Sequence, residues 1–372
     1  MTLRIGIDGR VLDDRYHGIG RVTYALCREI ATMPGTELVI FEGRTRSRRF
    51  DVDTLAAQPS VILHRVDLAP VDVRQFWRWR KILRHHPVDV MFFPYHLGAS
   101  PLVSVPSLAM VHDCIFETDA RFAPSRAVNY AYRTLTALIT RSTTALTVSR
   151  ASADEIHRHY GRRLEPHQVI PNGVDQHLTA ASGATQRLRE ELGLARGYVL
   201  HVGAQRPHKN VGVLIDAVAQ VPGVRLVLVG SPDTRFPDEA GPAIERHQLA
   251  DRVVRLPFVP EELLGAVYAE AAVLAYPSLV EGFGLPVLEA MAAGTPVIAS
   301  DVPALREIGG DAAAYVPPGD STAWAATIRL VTTDQAVRDT LIAGGTARVA
   351  KFTWADAAHR LVAACSYEAG RR

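Results

Sequence analysis

The sequence is poor in cysteine, and its few thiols are spread along the chain. Only three cysteines occur among 372 residues, namely Cys27, Cys114 and Cys365. Their number is odd, and none lies close enough in sequence to another to form the paired spacing of a zinc site or a disulfide framework. The thiol content therefore predicts a reducing compartment, and we expect the protein to be cytoplasmic.

Long apolar runs and a strong charge imbalance are also missing. No run of about 18 apolar residues occurs, so we expect no transmembrane helix. Residues 1–9 lead straight into a strand pattern, so we expect no signal peptide. The net charge is only +2, from 41 basic and 39 acidic residues. Such a balance gives no electrostatic reason to expect a nucleic-acid partner.

A complete dinucleotide fingerprint is the third absence. Residues 16–21 are glycine-rich and follow the first predicted strand, but the Gly-x-Gly-x-x-Gly pattern is incomplete. No ribose-binding acid is evident about 20 residues later. This disfavours a plain dehydrogenase, and a tight turn without a ligand explains the segment as well as a phosphate site does.

Strand and helix patterns alternate along the whole chain. The apolar runs 107–111, 198–202 and 314–316 are predicted strands, and helical spacing recurs between such runs. This alternation predicts an α/β protein with parallel sheets. The length allows two domains, and the polar stretch from Gln176 to Thr185 is the best candidate linker. We therefore predict a first domain over residues 1–180 and a second over 190–352.

Three finer expectations concern where elements begin and end. A loop is predicted from Asp8 to Ile19, before a helix that starts at Gly20. A strand is predicted around Gln168, before the Pro-Asn-Gly turn that closes the first half. The helical tail is expected to be interrupted at Gly344-Gly345 and again near Trp354.

Residues 73–86 form a basic segment that carries three aromatic side chains. Such a helix could lie weakly on an anionic membrane surface, including the inner face of the cell membrane. Its apolar residues spread around much of the helix, however, and a buried strand follows at once. A packed helix with its basic side chains in water is the better interpretation.

The most informative stretch runs from Ser278 to Gly294. Residues 272–277 before it form an apolar run typical of a buried parallel strand, and Pro286 suits the first turn of a helix. Glu281 is predicted on the intervening loop and Glu289 about one turn inside the helix, so both can face one cleft. Amides at a helix start attract anionic or hydroxyl oxygens, so the stretch suits a ligand with phosphate and sugar hydroxyls. Taken without their flanking residues, the two glutamates could equally be solvated.

Two other turns place polar side chains at the carboxyl ends of predicted strands. His112 follows the strand 107–111, on the edge where open α/β sheets bind ligands, although a hydrogen-bonded structural histidine is the alternative. Arg206 and Lys209 follow the strand 198–202. A planar guanidinium and a compact ammonium form a candidate diphosphate clamp, with an exposed charged turn as the alternative.

The segment from Glu281 to Glu289 resembles the motif of the retaining glycosyltransferases of family 4. Gly-Phe-Gly-Leu-Pro follows the first glutamate, and Glu-Ala-Met-Ala-Ala-Gly-Thr-Pro-Val-Ile-Ala-Ser begins at the second. Other landmarks of that family recur along nearly the whole chain, at 8–10, 18–21, 148–149, 171–175, 207–210 and 303–307. Within the family, the sequence is most similar to the mannosyltransferase-B-like branch that uses GDP-mannose.

The resemblance implies a GT-B fold, in which two facing Rossmann-like domains enclose an interdomain cleft. The C-terminal domain would hold the nucleotide sugar and the N-terminal domain the acceptor, with the tail from about 353 to 372 crossing back to the N-terminal domain. The implied reaction moves a hexose, mannose in this branch, from GDP-mannose to an acceptor with an α-glycosidic product. A glycan, a lipid-linked glycan and a secondary metabolite all remain open as acceptors.

The resemblance also implies roles for single residues. His112 is expected beside the transferred sugar, and Glu281 is expected to bind a donor sugar hydroxyl; these are the two catalytic candidates. Lys209 would neutralise the diphosphate, and Glu289 would bind the ribose hydroxyls. Because Lys209 and helix amides would stabilise the diphosphate, no metal and no cofactor beyond the nucleotide sugar are expected.

Further donor contacts are implied for loop backbone. Gly20 would let its loop approach the phosphates, and the backbone at Val259 would meet the base. Backbone amides near the donor sugar are expected from Gly282, Phe283, Gly284 and Leu285. One departure from the family pattern is Ala204, where many relatives have arginine. Arg206 is the candidate for the missing charge.

Three alternatives remain beside this interpretation. A nucleotide-sugar epimerase could use the same scaffold without an acceptor, but the glutamate motif argues against it. A non-catalytic nucleotide-sugar-binding protein is disfavoured by the presence of His112, Lys209, Glu281 and Glu289 together. A transferase that uses a UDP- or dTDP-sugar differs only in the donor.

Overall fold

Two parallel sheets organise the chain. The computed structural model describes residues 2–13, 17–45, 49–176, 178 and 183–371, and within these ranges each sheet has six strands. The first sheet contains β1 (Leu3–Gly9), β2 (Thr36–Glu42), β3 (Val61–Arg65), β4 (Val90–Phe93), β5 (Ser107–Val111) and β6 (Thr144–Thr147). The second contains β7 (Tyr198–Val202), β8 (Leu226–Val229), β9 (Val253–Leu256), β10 (Ala271–Tyr276), β11 (Val297–Ser300) and β12 (Ala314–Val316).

Helices connect the strands, as parallel pairing requires. Those that precede β7 are α1 (His17–Ile30), α2 (Val52–Ala56), α3 (Gln75–His85), α4 (Ile115–Thr118), α5 (Arg126–Ser142), α6 (Arg150–Tyr160) and α7 (Ala184–Leu192). Those between β7 and β12 are α8 (Val211–Ala219), α9 (Ala240–Arg246), α10 (Glu261–Ala269), α11 (Leu285–Ala292) and α12 (Pro303–Gly309). The tail contains α13 (Ser321–Thr333), α14 (Gln335–Val349) and α15 (Trp354–Gly370).

The chain divides into two compact units. The N-terminal unit comprises Met1–Glu117, Arg126–Gly173 and Trp354–Arg372, and the C-terminal unit comprises Thr118–Ser125 and Val174–Thr353. In the N-terminal unit, α15 packs against α1 and β4. The short segment 118–125, which the sequence placed in the first domain, belongs to the C-terminal unit.

Both sheets have the same strand order. The first is arranged β3-β2-β1-β4-β5-β6, and the second, read in the same direction, is β9-β8-β7-β10-β11-β12. In each, the chain reverses its direction of strand addition at the middle, between β1 and β4 or between β7 and β10. Open α/β sheets bind ligands beyond the carboxyl ends of the strands at such a switch point.

The burial of the strands explains why they could be recognised in the sequence as short apolar runs. All four residues of β4 and of β8 are buried, because helices cover both faces of each parallel sheet. The α/β class with parallel sheets is therefore confirmed. The strands 107–111, 198–202 and 314–316 have the predicted bounds.

Two predicted element boundaries near ligand-type motifs were wrong. Helix α1 begins at His17, so Gly20 lies in its first turns and not on a loop. A Cβ atom at Gly20 would lie 2.8 Å from the Val11 carbonyl oxygen and 2.9 Å from the Phe50 ring, so close packing explains the glycine. Around Gln168 no strand forms among the described residues; only an isolated parallel bridge joins Val169 to Thr147.

The predicted break at Gly344-Gly345 was also wrong. Both glycines lie inside α14, and the tail is interrupted at Asp334, whose side chain caps the start of α14. A Cβ at Gly345 would lie 3.0 Å from Met291 Cγ, and one at Gly344 would lie 3.3 Å from Ala312. The two glycines therefore let α14 approach its neighbours closely, and packing outweighs their poor helix propensity.

Two sequence expectations fall partly outside the described residues. Tyr16 of the glycine-rich segment is one, and residues 177 and 179–182 of the predicted linker are the other. Across the residues that the structure does describe, no helix is both long and apolar enough to cross a bilayer.

Candidate functional site

The loop after β10 turns sharply into α11. Gly284 precedes this helix with φ of 98°, a left-handed conformation that glycine adopts without a steric penalty. A Cβ at this position would also lie 2.5 Å from Leu305 Cδ2. Pro286 lies in the first turn, where its missing amide hydrogen costs no helical hydrogen bond. The strand, glycine loop and helix predicted for this stretch are therefore present.

The turn after β7 is tied to that loop. Residues 207–209 form a single tight helical turn, and Asn210 then adopts φ 53° and ψ 39°. Asparagine tolerates this left-handed conformation better than most residues do. Its side-chain amide donates to the carbonyl oxygens of Pro277, at 3.2 Å, and Pro318, at 2.7 Å. The amide of Leu279 donates to the His208 carbonyl at 2.8 Å, so the two turns are held together beside the switch point.

Lys209 and Glu281 meet at this junction. The Lys209 ammonium lies 2.5 Å from Glu281 Oε1 and donates to the Tyr276 hydroxyl at 2.8 Å. The side chains of Lys209 and Glu281 are only 13% and 8% exposed. Burial disfavours the charge on Lys209, but the Glu281 carboxylate more than offsets it, so the pKa of Lys209 is raised. Burial likewise opposes the charge on Glu281, yet Lys209 keeps its pKa below the ordinary value. Both groups are therefore ionised at neutral pH.

Two buried histidines surround this pair without adding charge. The ring of His201 stacks on Tyr276 with centroids 5.8 Å apart, and its Nδ1 donates to the Ala275 carbonyl at 3.2 Å. Burial lowers the pKa of His201 to about 4 and that of His208 to about 3. Both rings are therefore neutral at physiological pH and do not compete with Lys209 for an anion.

Glu289 lies inside α11, as predicted, but it is largely covered by protein. The residue is 5% exposed, and its Oε2 accepts a hydrogen bond from the Tyr268 hydroxyl at 2.6 Å. The sequence placed both glutamates with equal access to one cleft. The structure distinguishes them, because Glu281 is paired with a cation and Glu289 is bonded to a buried phenol.

Arg206 is held apart from Lys209 by a different partner. Its Nε donates to Asp233 Oδ2 at 2.9 Å, and the same carboxylate is bound by Arg235. The Arg206 side chain is 37% exposed and lines a cavity of about 310 Å³ together with Asp233. The two cations of the predicted clamp thus lie in separate ion pairs, and their binding of a diphosphate stays a prediction.

The remaining donor-side candidates lie on loops of the C-terminal unit. Val259 is buried, whereas its neighbour Phe258 is exposed. Phe283 is buried with its ring edge against Phe352 at a centroid distance of 5.9 Å, so only its backbone remains for a ligand. Gly282 and Leu285 flank it on the loop and at the start of α11.

His112 belongs to the N-terminal unit, where it follows β5 directly. Its Nε2 donates to the Pro94 carbonyl at 2.8 Å, which fixes the ring and leaves Nδ1 as the acceptor. Burial lowers the pKa of His112 to about 4, so the imidazole is neutral at physiological pH. Gly20 lies in the same unit, and its placement in α1 removes the predicted loop.

Sequence reasoning missed Tyr276 and Asn210. Tyr276 is the last residue of β10, so its place at a strand's carboxyl end was a usable signal. Asn210 had a weaker signal, as a residue type that favours left-handed turns. Within the described residues, no cluster of three or more His, Cys, Asp or Glu side chains is placed to hold a metal ion.

Comparisons with known proteins bear on the family of the chain. The family described as "Glycosyltransferase Family 4" matches residues 16–178, and "Glycosyl transferases group 1" matches residues 185–348. An O-antigen chain mannosyltransferase B from Escherichia coli is 30% identical over 65% of this chain and 65% of its own length. The O-antigen chain mannosyltransferase RfbU from Salmonella typhimurium is 34% identical over 50% of this chain and 49% of its own length. The alignments thus span about half to two thirds of these relatives.

A solved structure shows the same fold over nearly the whole chain. Sucrose-phosphate synthase from Thermosynechococcus elongatus superposes with a TM-score of 0.75, covering 98% of each chain at 22% identity. The two Rossmann-like units are therefore those of the GT-B fold. With the two family matches covering most of the sequence and mannosyltransferase relatives at 30–34% identity, the chain belongs to the family 4 glycosyltransferases, in the mannosyltransferase-B-like branch.

Proposed function

We propose that this protein transfers a hexose from a nucleotide diphosphate sugar to the hydroxyl of an acceptor. The observation that carries the proposal is the Lys209 ammonium held between Glu281 and Tyr276 beside the switch point of the C-terminal sheet. An ammonium is suited to a diphosphate, and a carboxylate is suited to sugar hydroxyls, which donate hydrogen bonds to it. The cation for the diphosphate and the carboxylate for the sugar are thus directly hydrogen-bonded to each other.

Donor binding would exchange the partners of this pair. Without a donor, Lys209 and Glu281 neutralise each other and limit the cost of burying two charges. A diphosphate can take over the Lys209 cation, while a sugar hydroxyl donates to Glu281. As the bond to the leaving diphosphate breaks, Lys209 would stabilise the growing negative charge.

The proposed donor is GDP-mannose. The support is the name of the relatives, since two proteins at 30% and 34% identity are mannosyltransferases. A UDP- or dTDP-sugar transferase is the second candidate, and an epimerase is the third. An epimerase would convert its nucleotide sugar without an acceptor.

Other roles are proposed from the family resemblance. Glu289 would bind the ribose hydroxyls through its carboxylate, which the Tyr268 hydroxyl holds in place by donating to Oε2. Backbone at Val259 would contact the base, and amides from Gly282 to Leu285 would contact the donor sugar. The neutral ring of His112 would support the sugar near the reacting carbon. The acceptor would be a glycan, a lipid-linked glycan or a secondary metabolite. The site of action would be the cytoplasm, with a weak contact at the inner membrane face.

The proposed stereochemical outcome is retention. A double displacement needs a carboxylate nucleophile opposite the leaving group, and Glu281 and Glu289 are both committed to donor binding. In the remaining route, the departing phosphate accepts the acceptor proton while the sugar passes through an oxocarbenium-like state. Nuclear magnetic resonance of the product would decide this, since a β-linked product from an α-linked donor would overturn the mechanism. Full activity in EDTA is expected, with Lys209 and helix amides in the place of a metal.

Thermal unfolding with added nucleotides tests the proposed donor. A ligand at 100 times its Kd adds about 2.7 kcal/mol to stability. We expect GDP and GDP-mannose to raise the Tm more than UDP, dTDP or their sugars, and Lys209→Ala to reduce that shift. Stabilisation by UDP-glucose alone would overturn mannose while leaving sugar transfer intact. No shift with any nucleotide sugar would contradict the proposed function itself.

A further inference from the structure

A second cavity lies within the N-terminal unit, on one side of α5. Its volume is about 620 Å³, and it is broadly open to solvent. We call it the arginine pocket, and its principal lining residues are Arg126, Asn129, Tyr130, Arg133, Arg141 and Tyr160. None of them has been given a role in sugar transfer above.

Three arginines give the pocket its charge. Arg126, Arg133 and Arg141 follow one face of α5, with Arg126 and Arg133 two turns apart, or roughly 10 Å along the axis. All three are exposed. In the part of the chain that the structure describes, none of them lies within ion-pair distance of a carboxylate, although Arg133 is near enough to Glu117 to lower the pKa of that carboxyl slightly against the effect of burial. Their charge is therefore available to an anion from outside the chain.

A buried acceptor lies between two of these arginines. Asn129 is only 6% exposed, and its Nδ2 donates to the Phe116 carbonyl at 2.8 Å. That bond fixes the amide orientation, and no group in the described chain donates to the remaining Oδ1. A buried acceptor without a donor is costly, so a ligand that brings a hydroxyl or amine hydrogen would relieve this cost.

The neighbouring acidic groups do not cancel the arginine charge. Glu117 is buried, accepts a hydrogen bond from the Tyr160 hydroxyl, and has its pKa raised by burial to about 7. Glu155 pairs with Arg158 and with His159, the latter at 3.1 Å. Both carboxyl groups thus have partners or reduced charge, and the face of α5 remains basic.

We propose that the arginine pocket binds a phosphorylated sugar, either free or as the headgroup of a lipid. The guanidinium groups of Arg126 and Arg133 match phosphate oxygens through paired N–H donors. A sugar hydroxyl supplies the donor that Asn129 Oδ1 lacks. Tyr130, which is 76% exposed, offers an apolar ring face to the sugar. Neither inorganic phosphate nor an uncharged sugar satisfies all of these groups.

Calorimetric titration of the full chain tests this site. The probes are glucose 1-phosphate, inorganic phosphate and glucose. We expect glucose 1-phosphate to bind at least about tenfold more tightly than either of the other two. Arg133→Gln should weaken its binding about tenfold or more, the usual worth of a charge-assisted contact. Arg84→Gln, an exposed change on α3, is the matched control and should bind as wild type does.

Two further arms separate this site from the proposed donor site. Lys209→Ala should bind glucose 1-phosphate normally even where it loses GDP binding. Vesicles containing phosphatidylinositol, compared with phosphatidylglycerol vesicles, report the lipid source of the same chemistry; binding that depends on Arg133 and on inositol assigns the site to a headgroup. The proposal is wrong if neither probe binds, if phosphate alone binds equally well, or if Arg133→Gln changes nothing.

Discussion

Each unit has a buried ion pair at the switch point of its sheet, but the two pairs differ in how fully protein groups use their hydrogen-bond donors. In the N-terminal unit, Arg10 binds Asp8 at the carboxyl end of β1, with both N–O distances at 2.7 Å. In the C-terminal unit, Lys209 binds Glu281 beside the ends of β7 and β10. Each pair lies at its sheet's switch point, so topology alone does not explain their different character.

Arg10 has its donors saturated by protein. Besides Asp8, its guanidinium donates to the carbonyl oxygens of Ala69, at 2.7 Å, and Gly98, at 2.8 Å. It also contacts Gln75 Oε1 at 3.3 Å and lies 4.9 Å from the centre of the Trp79 ring. A Cβ at Gly98 would lie 2.6 Å from Asp8 Oδ2, so the space is filled. This pair occupies the switch point and leaves nothing for a ligand.

Lys209 has a hydrogen-bond donor to spare, which Arg10 lacks. An ammonium has three hydrogens, and the described contacts use two of them, for Glu281 and Tyr276. Its partner Glu281 comes from a loop, and both side chains retain some solvent contact. Lys209 has a spare hydrogen and can therefore exchange partners with a ligand. The guanidinium of Arg10 has every donor used by protein acceptors, so it stabilises the fold. The comparison indicates which switch point holds a ligand.

The largest expected effect is a loss of stability on breaking the pair of Arg10 and Asp8. Arg10→Met should destabilise the protein by about 3–5 kcal/mol, because it strands the Asp8 carboxylate and two carbonyl acceptors in the interior. Lys209→Met should cost at most about half as much, since it strands one carboxylate at a partly wet edge. Urea unfolding of both variants measures the difference. An equal or larger loss for Lys209→Met would remove the distinction between the two pairs.

The second prediction concerns catalysis at the exchangeable pair. Lys209→Ala should lower kcat/KM by about 2–4 kcal/mol, as other losses of preorganised charge do. Lys351→Ala, an exposed lysine change in the same unit, is the control and should leave kcat/KM unchanged. Steady-state assays with saturating acceptor measure both. Near-wild-type activity of Lys209→Ala would take the diphosphate role away from this residue.

The sequence allowed the architecture to be predicted more fully than the site. Strands such as 107–111 are short apolar runs bounded by turn residues, so local pattern defines them. The link from Lys209 to Glu281 spans 72 residues and depends on how β7 and β10 pair, which no local pattern records. Glu281 and Glu289 were found from the strand, loop and helix pattern and given roles by resemblance, whereas the contact of Tyr276 with Lys209 became evident only from the structure.

Two of the wrong predictions share one physical cause. Gly344-Gly345 were interpreted as a break, because glycine is a poor helix former. Gly20 was placed at the very start of its helix, and the family resemblance implied that it lets a loop approach phosphates. A Cβ would clash with the Val11 carbonyl oxygen at Gly20, and it would make tight contacts with neighbouring residues at Gly344 and Gly345. Tertiary packing therefore decided the outcome, and a single sequence does not reveal which glycine serves a turn and which serves a contact.

Acid should distinguish the two units. Burial lowers the pKa of His201 and His208 in the C-terminal unit, and of His96 and His112 in the N-terminal unit, to about 3–4. Unfolding lets each histidine take up a proton below about pH 6.5, so each costs roughly 1 kcal/mol of stability at pH 5.5. Glu117 acts in the opposite direction: its pKa is raised to about 7, so the folded state gains stability as pH falls toward 4.5. Burial also lowers the pKa of His64 in the N-terminal unit and raises that of Glu239 in the C-terminal unit, which narrows the difference. Both shifts are smaller than that of Glu117, so the N-terminal unit should still resist acid better.

Hydrogen exchange followed by mass spectrometry at pH 7.5 and 5.5 measures this difference, after correction for the intrinsic rate. Protection should fall by about 2–3 kcal/mol in the C-terminal unit and by less in the N-terminal unit. Glu117→Gln removes the compensating group, so the acid-induced losses of protection in the two units should become more similar. A larger loss of protection at pH 5.5 in the N-terminal unit than in the C-terminal unit of the wild-type protein would contradict the role given to Glu117.

The smallest effect is expected at a third ion pair, which is more exposed than the other two. Arg206 donates to Asp233 at 2.9 Å, its side chain is 37% exposed, and Asp233 is also held by Arg235. Since exposed pairs contribute little and Lys209 already supplies a cation, Arg206→Ala should lower kcat/KM less than about tenfold. Arg235→Ala, which removes the other guanidinium on the same carboxylate, is the matched control. If Arg206→Ala loses as much activity as Lys209→Ala while Arg235→Ala does not, Arg206 leaves Asp233 for the diphosphate. It would then supply the charge that Ala204 lacks, and the exchangeable site would contain two cations instead of one.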